Sequence, residues 1–284
     1  MPLIDAIDQY QDARENGFAL GAFDTNAGNP DFIMSILDAA EELNFPVIIQ
    51  GGARPLSELY DIRAFGRSIA SLAQDREAKV VLHLNMAENL DQIRTALDSG
   101  FTSVMIDGSF LDFKDNIELT RQAVEIAEVY NAAVEGKLGI LGGREDLEKK
   151  VTQTFTDPEE AKTFVKETDI DIFVPSFGNV YGSYINKPNL NFNLLKTLKD
   201  SLSIGMTIHG ASGLSDRDYR SLIENGAVKI NISTAMRTTY LKNIKEAMEK
   251  APKTTLSYEI TASARKDITR IVVEMIRLFR GSWE

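Results

Sequence analysis

Eight short runs of apolar and β-branched residues alternate with segments of helical periodicity along the chain. This alternation predicts an α/β protein, and eight strands in 284 residues favour a single closed (β/α)8 barrel, a TIM barrel, over an open doubly wound sheet. The predicted strands are Ala19–Phe23, Val47–Gln50, Val80–Leu84, Ser103–Ile106, Ala133–Leu138, Ile170–Val174, Met206–Ile208 and Val228–Ile232.

The segments between these strands carry apolar residues at the spacing of amphipathic helices. The predicted helices are Asn29–Leu43, Leu56–Gln74, Leu90–Asp98, Phe113–Tyr130, Pro158–Glu167, Leu190–Lys199 and Asp216–Glu224. A helical region from Thr234 to Phe279 follows the last strand. No Pro- or Ser-rich linker interrupts the pattern, so residues 1–284 are predicted to form one barrel domain with a C-terminal helical extension.

Composition excludes several classes of protein. The chain has 31 Lys and Arg against 42 Asp and Glu, and its net charge of −11 argues against binding to nucleic acid or to an anionic membrane. It has no cysteine, which excludes disulfides and thiolate chemistry. The first residues predict an acidic amphipathic helix rather than a signal peptide, and no apolar run approaches the roughly 20 residues that span a bilayer. We therefore expect a cytoplasmic protein.

Two loops of small residues follow the seventh and eighth predicted strands. They are HGASG, residues 209–213, and KINIST, residues 229–234. Small residues allow backbone N–H groups to approach an anion closely, and Ser212, Ser233 and Thr234 add hydroxyl donors. TIM barrels frequently bind phosphate at this corner, so these loops predict a phosphate site.

Two longer glycine-containing loops follow the fifth and sixth predicted strands. They are Gly139–Thr156 and Gly178–Asn189. Because barrel active sites form from loops at the C-terminal ends of the strands, these loops are candidates for lids over a site. The alternative is that each of them is an ordinary solvent-exposed surface loop.

The stretch HLNMAENL, residues 83–90, predicts a strand that ends at Leu84 and turns towards a helix. A barrel enzyme usually carries catalytic groups at such a turn, but this one offers the amide of Asn85 and the thioether of Met86. The only histidines, His83 and His209, also stand at strand ends. Each is either a hydrogen-bonded structural residue or part of a site.

Seven segments together resemble the class II, zinc-dependent ketose-bisphosphate aldolases that act on fructose or tagatose bisphosphate. They are GAFDTN, SILDAAEELNFPVIIQ, GFTSVMIDGS, LGGREDLE, TDPEEAKTFV, IHGASGLSD and VKINIST, and they span nearly the whole chain. The resemblance implies a TIM barrel, a homodimer or homotetramer, and a small phosphorylated ketose as ligand. It places this ligand on Asp24, Gly182, His209, Gly210, Ala211, Ser212, Asn231, Ile232, Ser233 and Thr234.

The resemblance also reveals departures at the zinc site of the family. The family has His-Leu-Asp-His-Gly where this chain has HLNMA, so Asn85 replaces the proton-transfer Asp and Met86 replaces a zinc ligand. Tyr181 replaces a second ligand, and His209 is the only ligand retained. Lys137 stands where the family has an acid near the metal. Catalytic zinc needs three protein ligands, so we expect neither bound zinc nor another cofactor.

An aldol cleavage needs a group that stabilises a carbanion, either a metal ion or a lysine-derived iminium. Lys137 lies near the end of the fifth predicted strand, on the same face as Glu135 because a strand has a period of two. If that face lines the barrel, Lys137 can form a Schiff base; an ion pair with Glu135 or a solvated lysine is the alternative. The predicted catalytic residues are Lys137, Glu145, Tyr181, Asp107 and Asn85.

Three functions follow from these observations. The first is an aldolase-like aldehyde-lyase that acts on a phosphorylated or similarly anionic ketose, without zinc. The second is a sugar-phosphate isomerase or epimerase, and the third is a non-catalytic sugar-phosphate-binding homologue or partner subunit. Lys137 and the loop acid Glu145 favour an enzyme, whereas the missing Asp and histidines favour loss of catalysis.

Overall fold

Eight parallel strands close into a barrel, which confirms the predicted TIM fold. The computed structural model describes residues 3–143, 153–182, 189–252 and 254–281. The strands are β1 Leu20–Asp24, β2 Val47–Gly52, β3 Val80–Ala87, β4 Ser103–Ile106, β5 Ala133–Leu138, β6 Ile172–Pro175, β7 Gly205–Ile208 and β8 Ala227–Ile232. Their order around the barrel follows the chain, with β8 hydrogen-bonded to β1.

The helices pack around the outside of the barrel and bury their apolar faces against the strands. They are α1 Ala6–Asn16, α2 Pro30–Leu43, α3 Ala53–Leu59, α4 Ile62–Gln74, α5 Leu90–Leu97, α6 Phe113–Glu128, α7 Pro158–Thr168, α8 Phe192–Ser201, α9 Asp216–Glu224, α10 Thr234–Lys250 and α11 Ser257–Phe279. None of these helices is both long enough and apolar enough to cross a membrane.

The predicted helix Leu56–Gln74 is wrong in one respect, because the segment forms two helices, α3 and α4. The break comes at Asp61, whose side chain accepts hydrogen bonds from the backbone of Arg63 and Ala64 and so starts a new helix.

The stretch 83–87 also differs from its prediction, because β3 continues through Asn85 and Met86 to Ala87 instead of turning after Leu84. Leu84 pairs with Val104 and Ala87 with Ile106, so β3 contains one more residue than β4 between the two pairs. The extra residue forms a bulge, in which Met86 adopts a left-handed backbone with φ of 57°. Asn85 and Met86 therefore reach the C-terminal end of the barrel from a distorted strand.

A buried carboxylate, Glu135 on β5, occupies the middle of the barrel. It accepts hydrogen bonds from Lys229 Nζ at 2.6 Å, from His209 Nε2 at 2.8 Å and from Thr207 Oγ1 at 2.8 Å. Thr207 on β7, His209 just after β7 and Lys229 on β8 thus provide the donors that a buried carboxylate requires. Lys229 therefore serves as the counter-ion of Glu135 in the barrel interior.

The network continues from Lys229 towards the N-terminal end of the barrel. Lys229 Nζ lies 3.0 Å from His83 Nε2, and His83 Nδ1 lies 2.8 Å from Ser103 Oγ. Because Lys229 donates to Nε2, the hydrogen of the neutral His83 ring is on Nδ1, and it is donated to Ser103. Ser103 is in turn 3.1 Å from the hydroxyl of Tyr10 on α1. His83 is therefore a structural residue of the barrel interior.

Burial and charge together set the protonation of this network. Burial lowers the pKa of His83 and of His209, and the charge of Lys229 lowers both further, so both rings are neutral. Burial alone would raise the pKa of Glu135, but Lys229 and the hydrogen bond from His209 hold it well below its ordinary value. The interior thus holds an ionised Glu135 and two uncharged imidazoles.

The neutral histidines predict a loss of stability in mild acid. Below the ordinary histidine pKa of 6.5, the unfolded chain binds protons that the folded chain does not, so the free energy of unfolding falls as the pH falls. We expect a slope of up to about 1.4 kcal/mol per pH unit for each histidine between roughly pH 6.5 and pH 5, measured by urea unfolding. His83→Gln should halve that slope, and a free energy of unfolding that stays constant over this range contradicts the assignment.

Candidate active site

The C-terminal ends of the barrel strands form a mouth lined by polar side chains. This is the end at which TIM barrels carry their active sites. The polar residues at or just beyond the strand ends are Asp24, Gln50, Asn85, Asp107, Lys137, Ser176, His209 and Asn231. The structure therefore brings most of the predicted site residues to one end of one barrel.

Lys137 lies on β5 with its side chain fully buried, on the same face as Glu135 as its spacing predicted. Its ammonium donates to Asp107 Oδ2 at 2.9 Å. Its described ion-pair partner is thus Asp107 rather than Glu135, which the sequence offered as an alternative, because Lys229 already neutralises Glu135. Lys137 Nζ also lies 5.4 Å from the ring centroid of Tyr181, close enough for a cation–π contact.

Asp107 follows β4 and is held in place from both sides. Its Oδ1 accepts hydrogen bonds from the backbone N–H of Ser109 at 3.1 Å and from its hydroxyl at 2.6 Å, while Oδ2 accepts from Lys137. Burial alone would raise the pKa of Asp107, but Lys137 and Ser109 hold it below its ordinary value. Asp107 is therefore an ionised counter-ion, and the charged form of Lys137 is the form it stabilises.

Tyr181 and His209 form a second pair beside Lys137. The hydroxyl of Tyr181 lies 3.1 Å from His209 Nδ1, and His209 Nε2 lies 2.8 Å from Glu135 Oε1. A carboxylate only accepts hydrogen bonds, so the hydrogen of the ring is on Nε2, and Nδ1 accepts from Tyr181. Both nitrogens of the retained histidine are thereby engaged.

This donor set does not fit a catalytic zinc ion. Within residues 3–143, 153–182, 189–252 and 254–281, no three His, Cys, Asp or Glu side chains converge as a metal site would require. The hydroxyl of Tyr181 is hydrogen-bonded to Nδ1 of His209, and the ammonium of Lys137 lies beside the Tyr181 ring. Among the described residues, a divalent cation beside Tyr181 would meet the imidazole of His209 and the ammonium of Lys137, which already occupies the carboxylate of Asp107.

Three amide side chains in the mouth each carry a buried oxygen with no hydrogen-bond partner. They are Gln50 on β2, Asn85 on β3 and Asn231 on β8. A buried polar atom without a partner costs about 1–3 kcal/mol, so such atoms point to a ligand with O–H or N–H donors. Asn85 and Asn231 are among the residues predicted from the sequence, whereas Gln50 was missed, because its only signal is an amide at the end of the apolar run VIIQ.

The two predicted phosphate loops meet at the corner between β7 and β8. The backbone N–H of Ser233 donates to Ser212 Oγ at 3.2 Å. Helix α10 begins at Thr234, and no side chain caps its N-terminus, which leaves backbone donors open to an anion.

Gly210 belongs to the first of these loops and has a left-handed backbone, with φ of 67°. A Cβ at this position would lie 2.2 Å from the carbonyl oxygen of Val180, so the close approach requires glycine. Gly182 follows Tyr181 and is also left-handed, with φ of 95°. The side chain of Ile232 is buried in the apolar core, so only its backbone is available to a ligand.

The two candidate lid loops are joined where the structure describes them. Residues Gly142–Gly143 pair with Val180–Tyr181 as two short parallel strands. The predicted loop acid Glu145 lies outside the described residues. The lid function stays a prediction.

Comparison with known proteins identifies the family. Residues 5–282 match the family model described as class-II fructose-bisphosphate aldolase. The fructose-bisphosphate aldolase of Staphylococcus epidermidis is 32% identical over 287 residues, covering 99% of each chain. The probable fructose-bisphosphate aldolase of Bacillus subtilis is 31% identical with the same coverage.

Solved structures agree with this match. The crystal structure of the YdjI aldolase from Escherichia coli K12 has a TM-score of 0.85 and 31% identity, covering 98% of this chain and 97% of that chain. A putative fructose-1,6-biphosphate aldolase from Coccidioides immitis has a TM-score of 0.87 and 25% identity, covering 98% of this chain and 96% of that one. The chain belongs to the class-II fructose-bisphosphate aldolase family.

Proposed function

We propose that this protein is an aldolase that cleaves or forms a C–C bond in a phosphorylated or similarly anionic ketose, without zinc and through a Schiff base on Lys137. Family membership supports aldolase-type chemistry. Lys137 supports the metal-free route most directly, because its buried ammonium stands beside the Tyr181–His209 pair. A positive charge is therefore present next to the one zinc ligand that the chain retains.

The proposed chemistry uses Lys137 as an electron sink. Its neutral amine attacks the ketose carbonyl and, with loss of water, forms an iminium ion. When the C–C bond breaks, its electron pair moves into this iminium, which replaces the charge stabilisation that a metal provides. Asp107, at 2.9 Å from Nζ, is the base closest to the ammonium among the described contacts. Lys137 is fully buried, so the ketose carbonyl must gain access to it before this attack.

The remainder of the mouth fits a phosphorylated sugar. The corner at Ser212 and Ser233 and the uncapped start of α10 offer donors to a phosphate. The unpartnered oxygens of Gln50, Asn85 and Asn231 can accept hydrogen bonds from sugar hydroxyls. A ligand with an anionic end and several hydroxyls would satisfy both groups, and a homodimer or homotetramer remains our expectation for the assembly.

A non-catalytic sugar-phosphate-binding protein is the second candidate. The ion pair between Lys137 and Asp107 favours it, because a buried, ionised lysine is a poor nucleophile. Both candidates predict binding of the ligand, but only the first predicts a covalent adduct and turnover.

Lys137 is tested by trapping. Borohydride added with dihydroxyacetone phosphate or fructose 1,6-bisphosphate should reduce the iminium and leave a stable adduct on the peptide that contains Lys137. Lys137→Met should eliminate both the adduct and turnover, read by intact mass and an aldehyde-release assay. Lys196→Met, at an exposed position, is the matched control and should behave as wild type.

Because Lys137→Met leaves Asp107 buried without its partner, the double variant Lys137→Met/Asp107→Asn provides a folded comparison. Circular dichroism checks both variants. Normal turnover in a folded variant that lacks Lys137 refutes the lysine route, whereas no adduct and no turnover in the wild type favours the binding protein.

The expectation that zinc is absent follows from the side chains at the family's ligand positions. The purified protein should contain no stoichiometric zinc, and dialysis against a chelator should leave its activity within about twofold, because Met86 and Tyr181 stand at the replaced ligand positions. Elemental analysis with about one tightly bound zinc per chain refutes this expectation.

The phosphate site proposed between β7 and β8 is tested by introducing a negative charge there. Ser212→Asp places an anion beside the backbone N–H of Ser233 and should weaken the binding of dihydroxyacetone phosphate by at least about tenfold in calorimetry. The same change at exposed Ser71 on α4 is the control. Unchanged affinity in Ser212→Asp would place the phosphate elsewhere.

A further inference from the structure

Three neighbouring strands end in polar side chains on the side of the mouth away from Lys137. Asp24 on β1 pairs with Gln50 on β2, and Asn231 on β8 pairs with Ala22, two residues before Asp24. Paired residues of parallel strands share a face, and residues two apart on one strand do as well. Asn231, Asp24 and Gln50 therefore stand side by side, and Asp24 is the only carboxylate on these three strands.

The turn after β1 orients the carboxylate. Asp24 Oδ1 accepts a hydrogen bond from the backbone N–H of Asn26 at 2.6 Å. Asn26, Ala27 and Gly28 all have left-handed backbones, with φ of 51°, 61° and 84°. Thr25 secures this strained turn by donating to the carbonyl oxygen of Gln50 at 3.1 Å.

The neighbours of Asp24 point to a ligand at this position. The side-chain oxygens of Gln50 and Asn231 are buried without a partner, and both residues are more than nine-tenths buried. A ligand hydroxyl that donates to one of these amides would lie next to the carboxylate of Asp24.

The surroundings make Asp24 a stronger base than an ordinary aspartate. Burial raises the pKa of Asp24, and the hydrogen bond from Asn26 and the charge of Arg237 on α10 offset this only in part. Three charged groups on adjacent elements have partners of their own: Lys229 on β8 binds Glu135, Asp31 on α2 binds Tyr240, and Arg265 on α11 pairs with Asp38. Strand β2 carries no ionisable side chain.

We propose that Asp24 is the proton-transfer residue of this mouth and that it serves a ligand hydroxyl held by Gln50 and Asn231; this rests on the proposed aldolase function. In cleavage, Asp24 takes the proton of the hydroxyl on the carbon β to the iminium. The O–H electron pair forms the C=O bond of the departing aldehyde. The C–C bond breaks, and its electron pair moves to the carbon attached to the iminium of Lys137, which is later protonated.

Asp24 would thereby supply the proton transfer that Asn85 cannot perform. Asn85 cannot transfer protons, because a side-chain amide does not titrate in the physiological range. Asp107 is held by Lys137 and Ser109, and Glu135 is held by three donors below the mouth. Asp107 forms an ion pair with Lys137 and Glu135 forms one with Lys229, whereas no cation lies within 4 Å of the Asp24 carboxylate among the described residues.

The test removes the carboxylate at Asp24 and then restores one at Asn85. Asp24→Asn should lower kcat at least about 100-fold with KM within about threefold, and should remove the acid limb of the pH profile, where protonation of Asp24 abolishes activity. Borohydride trapping of dihydroxyacetone phosphate on Lys137 should persist, since it precedes this proton transfer. The double variant Asp24→Asn/Asn85→Asp should have a kcat at least about tenfold higher than that of Asp24→Asn. Glu88→Gln, exposed just after β3, is the control.

A kcat for Asp24→Asn within about threefold of wild type, or an unchanged acid limb, overturns the proposal. A second measurement does not depend on turnover. The 13C signal of the Asp24 carboxyl, assigned by its loss in Asp24→Asn, should titrate at a different pH when dihydroxyacetone phosphate is bound. An identical titration with and without this ligand overturns the role of Asp24, whereas a shifted titration in a protein that turns over no ketose overturns the aldolase function alone.

Discussion

The carboxylate of Glu135 is the group on which the interior of this barrel depends. It receives three hydrogen bonds, from Thr207 on β7, from His209 just after β7 and from Lys229 on β8, and it neutralises Lys229 with both side chains fully buried. A buried ion pair adds little net stability relative to apolar residues, but removing one partner costs about 3–5 kcal/mol, because the other charge stays buried. The pair therefore specifies how β5, β7 and β8 are arranged more than it stabilises the fold.

The same carboxylate determines the chemistry of the mouth. By accepting from His209 Nε2, it directs Nδ1 towards Tyr181. By neutralising Lys229, it leaves Lys137 to a second carboxylate, Asp107. The barrel thus contains two ion pairs with separate partners, Glu135–Lys229 and Asp107–Lys137, and only the second lies beside Tyr181 and His209. This separation supports the proposal that Lys137 has taken over the charge of the metal without disturbing the structural pair beneath it.

Much of this architecture could be predicted from the sequence. Parallel strands in a barrel are buried on both faces, so they appear as continuous apolar runs, and all eight were predicted within three residues of their observed ends. The bulge at Asn85 and Met86 was not predicted, because the extra residue appears only when β3 is paired with β4. The break at Asp61 was missed for a different reason, since periodicity continued across a residue that acts as a helix cap.

The contacts between the residues of the site were harder to predict than which residues form it. The face of Lys137 followed from strand periodicity, but its partner depended on which carboxylate Lys229 already occupied. Gln50 was missed because one amide in an apolar run gives no chemical signal. Its importance appears only from the absence of a hydrogen-bond partner in a packed interior.

The mouth has two chemically different halves, and this difference defines how a ligand would lie. Strands β4, β5 and β7 contribute ionised or titratable groups, including Asp107 and Lys137. Strands β8, β1, β2 and β3 contribute unpartnered amide oxygens and Asp24. A phosphate at the corner between β7 and β8 would anchor a ketose at the boundary between the halves. Its carbonyl would then face the lysine and its hydroxyls the amides, which places the bond to be cleaved between the electron sink and the proposed base.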